Sequence, residues 1–123
     1  MYATYNEFLT SINTDSLPEE LLDQTIIESA LDDASALILS YITIPYDALI
    51  EPYDKALKRR CIDIAYYYLM SKRGFNMTTA GDVCVANDYN SAIEYLKSIQ
   101  KGSVILTNRT DSNNNLRNQP FVV

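Results

Sequence analysis

The stretch "ALDDASALILSYI", Ala30 to Ile42, decides how this chain folds. Ala30, Leu31, Ala34, Leu37, Ile38, Tyr41 and Ile42 recur at three- and four-residue intervals, the spacing of one buried helix face. Extended back through Ile26 and Ile27, the pattern predicts a helix over about 23–42. Glu28, Asp32 and Asp33 fall away from that face. Leu39 breaks the division, because a turn of about 100° per residue points it between Glu28 and Asp32. A lone exposed leucine is ordinary, yet Leu39 is also a candidate contact with another chain.

The helix ends where "TIPYDALIEPY", 43–53, brings in Pro45 and Pro52. That segment is apolar for a loop, and it is expected to fold back over the core or to act as a contact arm. "DKALKRRCIDIAYYYLMSKR" predicts a third helix over about 54–73, with Leu57, Cys61, Ile64, Ala65, Tyr68 and Leu69 as its core face. Lys58, Arg59 and Arg60 are expected outside, with Tyr67 beside Arg60 and Asp63. Only Tyr68 of the three tyrosines is assigned to the core. Residues 74–87 read as a loop opened by Gly74, and a fourth helix follows over about 88–101.

Upstream, "YNEFLTSI" predicts a short first helix over about 5–12, capped by Thr4 or Asn6. "TDSLPEELL" offers Ser16 as a cap and Pro18 within a first turn. After Gly102 the character changes to a β-prone "SVILT", an Asn-rich stretch and a closing "PFVV". A two-stranded hairpin is marginal in water, so this tail is expected to dock on its own body or on a neighbour. The predicted fold is therefore all-α: about four helices over 1–102, then a β-prone extended C-terminal tail over 103–123.

With 123 residues and 47% apolar composition, a single globular domain is expected. No apolar run approaches the ~20 residues of a membrane span, and the opening residues lack the pattern of a signal peptide. The expectation is a chain made in the cytoplasm, without a membrane partner. Cys61 and Cys84 match no zinc-ligand spacing, and there is no histidine. The usual base for a Ser or Cys nucleophile is thus missing. No catalytic residue, metal ligand or cofactor site is assigned.

Charge is divided along the chain. Residues 1–54 hold eleven acids and no Lys or Arg, while residues 55–123 hold all ten basic residues and five acids. The two parts can neutralise each other within one molecule, or pair between copies. A contact of the second kind is heterologous and closes a ring or extends a filament. Basic residues beside tyrosines hint at nucleic acid, but a pI near 4.4 argues against phosphate binding. Asp32 and Asp33 diverge on a helix, so they read as a solvated face rather than as paired carboxylates.

Three segments in order resemble the small neck proteins of Mu-like phages and prophages: the opening "MYATYNEF", "ALDDASALILSYI" and "LKRRCIDIAYYYL". The third contributes Lys58, Arg59, Asp63, Ile64 and Ala65. The resemblance covers about residues 1–100, and the family is similar in organisation to head–tail connector (adaptor, head-completion) proteins of tailed phages. It implies a non-enzymatic helical protein that forms a ring, typically a twelvefold dodecamer, under the portal protein and against a tail-side neck protein. DNA would pass through that ring without being specifically bound. It also implies a place in the virion neck after synthesis in the host bacterial cytoplasm.

Two departures stand out, Leu37 and Leu39 where the family is usually polar, and a longer Asn-rich tail. On this resemblance Leu39, Asp32, Lys58, Arg59, Arg60 and Tyr67 are candidate interface residues, with Phe121, Val122 and Val123 docking on the portal or a neighbour. The acidic second helix either meets the basic third helix of the next subunit or lines the channel. The alternative reading is a small acidic phage-encoded regulatory protein that binds a host protein.

Overall fold

Capping chemistry sets the helix boundaries. In a computed structural model describing residues 2–42 and 54–102, helix α1 runs Tyr5–Ser11. Thr4 Oγ1 accepts from the Glu7 amide at 3.2 Å, and the Glu7 carboxylate accepts from the Thr4 amide at 2.9 Å. This reciprocal pair satisfies two donors that a helix start otherwise leaves open. Two 3-10 turns follow, Thr14–Ser16 and Glu19–Leu22. Asn13 caps the first and Asp23 caps α2 (Gln24–Tyr41), accepting from the Thr25 amide at 2.7 Å. The expected cap, Ser16, instead donates its hydroxyl to the Asn13 carbonyl at 2.7 Å.

Asp54 caps α3 (Lys55–Arg73), and Gly74 ends it at φ 98°, a backbone that side-chain-bearing residues rarely adopt. Helix α4 runs Ala80–Gln100. Its first eight residues correct the loop expected over 74–87. "AGDVCVAN" lacks helical periodicity and contains Gly81 and two valines, all poor helix formers, but burying Val85 and Asp82 against α3 outweighs that weak local preference.

Pairings fix the topology. Glu7 meets Lys58, while the Asn13–Ser16 turn meets Tyr66 and Arg73, so α1 and its turn run alongside α3 in the same direction. The chain then reverses into α2, where Ser35 and Leu31 face Cys61. Arg73 pairs with Asp82, Tyr67 with Tyr89 and Arg60 with Tyr95, which makes α4 antiparallel to α3. Helix α3 is therefore central.

Its central position explains a second correction. A single core face was expected on α3, but α2 packs on one side and α1 and α4 on others. Asp63 and Ile62 are buried beside Leu57, Cys61, Ile64 and Leu69. Tyr66, Tyr67 and Tyr68 are all half-buried, so Tyr68 is not the core tyrosine of the three. Fully buried Ile27, Leu31 and Ile38 of α2, Leu96 of α4, and Tyr2 and Phe8 complete the core. Among the described residues there is no strand. The apolar segment 43–53 and the tail 103–123 lie outside them, as do the expectations placed there.

Candidate interaction surface

Helix α3 opens with four cations, Lys55, Lys58, Arg59 and Arg60, spaced so that Lys55, Lys58 and Arg59 fall toward α1. Lys58 Nζ pairs with Glu7 at 2.8 Å. That hydrogen bond, opposed by burial, holds the Glu7 carboxyl below its ordinary range. Arg59 Nε lies 3.2 Å and Arg60 3.6 Å from the buried Asp63 carboxylate. Burial pushes Asp63 up to about 6 despite Arg59, with Asp88 adding to the rise and Arg60 opposing it. Two arginines do not offset the loss of water around this carboxylate. Arg60 also sits over the Tyr95 ring, 5.3 Å from its centroid.

Two clefts flank this run. One, of about 230 Å³, is enclosed by the Asn13–Ser16 turn, α3 and the start of α4, with Asp63, Tyr66 and Met70 in its lining and Asp88 and Cys84 at exposed positions. The other is a groove of about 210 Å³ between α1 and α3, lined by Glu7, Thr10, Ser11, Lys55, Lys58 and Arg59. Thr10 and Ser11 hydroxyls donate to the Glu7 carbonyl at 3.1 and 2.8 Å. With three cations against one carboxylate, the groove can hold an anionic group by charge. Among the described residues no cluster of three or more Cys, Asp or Glu is placed to bind a metal, and no helix is long and apolar enough to cross a membrane.

Most of the described carboxylates between residues 15 and 33 lack an ionic partner. Asp15, Glu19, Glu20, Asp23, Glu28, Asp32 and Asp33 form no ion pair among the described residues. Glu7 does pair across the division, with Lys58. Arg59, Arg60, Arg73 and Lys97 bond acids of their own part, namely Asp63, Asp82 and Glu94.

Of the residues expected at an interface, Lys58, Arg59 and Arg60 share one stretch of α3 and each has a partner within the chain. Asp32 is exposed on α2. Leu39, expected on the polar side, is half-buried and packs at the rim of the core. Tyr67 lies against α4, stacked on Tyr89 at 3.9 Å between centroids and tilted against Phe75 at 5.1 Å. Phe121, Val122 and Val123 lie outside the described residues. Sequence reasoning passed over Lys55 and the α1 groove; the signal was the Lys55–Lys58–Arg59 spacing, which needed α1 in place to become a groove.

Fold and surface together define a small all-α protein with its charge divided between two regions. The chain belongs to the family described as "Bacteriophage Mu, Gp36", whose sequence profile matches residues 2–123. It is similar to the Mu-like prophage FluMu protein gp36 of Haemophilus influenzae, with 31% identity over 91 residues. The match takes in 73% of this chain and 60% of that relative, so the aligned part spans less than two thirds of the relative's length.

Proposed function

We propose that this member of a Mu-like phage family is a structural head–tail connector, an adaptor that forms a ring under the portal, extends the DNA channel and seats the tail. Its partners are further copies of itself, the portal protein and a tail-side neck protein. It works by contact rather than catalysis, in the neck of the virion, and DNA passes through without specific recognition. The observation that carries the reading is the uncompensated charge of residues 15–33 on a chain whose α3 presents a cation-lined groove. Opposite charges on different surfaces of one molecule favour a heterologous contact, and such contacts close a ring where the rotation between copies closes.

The test is the mass and symmetry of the purified protein, alone and mixed with portal rings of the same phage. A ring of many copies in either sample supports the connector. A monomer in both samples sinks it and favours the acidic regulatory protein, for which the same exposed carboxylates would meet a basic host protein.

A further inference from the structure

Lys55, Lys58 and Arg59 line the groove at the start of α3, whereas the turn that leads to Glu19 and Glu20 is held farther along it, Asn13 by Tyr66 and Ser16 by Arg73. Glu19 and Glu20 form no ion pair with the groove cations of their own chain among the described residues. A second copy can bring the two surfaces together.

Within the acidic stretch, the Glu19–Leu22 turn presents two adjacent exposed carboxylates. It is a short 3-10 turn preceded by Pro18, with Glu19 and Glu20 exposed and anchored between buried Leu17 and half-buried Leu21 and Leu22. Asp32 and Asp33 are also exposed, but they stand mid-way along α2, where neighbouring side chains diverge by about 100°. On the receiving side, Lys55 is exposed and forms no ion pair among the described residues. Arg59 is 59% exposed despite its bond to Asp63. Both have donors to spare, since an ammonium carries three and a guanidinium five.

We propose that the Glu19–Glu20 turn of one copy seats in the α1–α3 groove of the next, its carboxylates meeting Lys55 and Arg59. The inference deepens the connector reading and rests on it, since this contact is the one that repeats around the ring. Each pair remains near solvent and is weak by itself. The contact is therefore salt-sensitive, and it gains strength by repetition.

Two charge-altered chains test it: Lys55→Glu with Arg59→Gln, and Glu19→Lys with Glu20→Lys. All four positions are exposed, and urea unfolding verifies that each variant folds. Self-association is followed by sedimentation velocity and native mass spectrometry at ~0.05 and ~0.5 M salt, in solution and on portal rings. The wild type is expected to assemble at low salt and disperse at high salt, and each variant alone to associate at least about tenfold more weakly. An equimolar mixture of the two restores assembly, with both chains in equal number.

Assembly of either variant at wild-type strength overturns the inference, as does a mixture that stays monomeric or a wild type that associates in neither setting. A groove variant that loses only DNA binding assigns the groove to phosphate and overturns it too. Normal rings of both variants on the portal leave the connector standing without this contact. Rescue in the mixture by chains that never join a portal keeps the contact and overturns the connector.

Discussion

Arg73 binds the Asp82 carboxylate and, through a second nitrogen, the carbonyl of Ser16 at 3.0 Å. The Asp82 side chain is 8% exposed and also accepts from the Asn76 amide at 2.6 Å. One ion pair thus joins the turn after α1, the end of α3 and the start of α4. Asp82 stands in the first turn of α4, where a negative charge is favoured by the helix dipole.

Asp82→Ala should strip that junction of its shared acceptor. The loss expected is about 2 kcal/mol, from an unpaired arginine and an amide left without a partner. Urea unfolding reads it, and amide exchange should accelerate in the first turns of α4 before the rest of the helix. Asp88→Ala, at an exposed position on the same helix, should change stability by less than about 0.5 kcal/mol.

Asp63 gives the chain an unusual pH response. Its carboxyl is raised from 3.8 to about 6 in the folded state, chiefly by burial. Between those values the folded chain keeps the proton that the unfolded chain has lost. The stability from this group is therefore fully present below pH 3.8 and is lost as pH rises through about 6, a change on the order of 3 kcal/mol. Glu7, held low by Lys58, has the opposite sign: its contribution is present above its unfolded value and is lost on acidification. Asp63→Asn should remove the first effect and leave the second, as urea unfolding across this range would register. Carboxyl NMR of the wild type should show a titration near 6 that no histidine can supply, because the chain has none.

The Tyr67–Tyr89 stack, 3.9 Å and 17° between planes, ties α3 to α4 on a half-buried side. A double-mutant cycle with Tyr67→Ala and Tyr89→Ala should return a coupling of about 1 kcal/mol. Pairing Tyr67→Ala with Tyr5→Ala should return none, since no ring contact joins those two. Equal coupling in both cycles would assign the effect to general loosening of the bundle.

Helices α2 and α3 were legible because their apolar residues repeat at helical spacing for five turns. The start of α4 was not, because Asp82 and Val85 become core residues only once Arg73 and α3 supply their partners. The same limit applies to Asp63: a charge on a helix reads as solvated until a third helix covers it. The candidate surface was half legible. Lys58 and Arg59 could be picked out by charge, but their bonds to Glu7 and Asp63 follow from where α1 crosses α3 and from a burial that periodicity placed on the other face.

Leu39 carries the last test, because its half-buried place at the core rim gives it two separable roles. Leu39→Ala removes side-chain atoms already partly packed, so the monomer should lose about 1 kcal/mol to urea unfolding. If a neighbouring copy covers the remaining surface, the same substitution should also weaken self-association, by roughly five- to tenfold for a further ~1 kcal/mol. If the acidic face of α2 lines the channel instead, association should keep its wild-type strength while the unfolding shift persists. Both quantities must come from one variant, since a destabilised monomer alone would lower the yield of rings. Loss of association beyond that expected from the unfolded fraction would place Leu39 in the seam between copies.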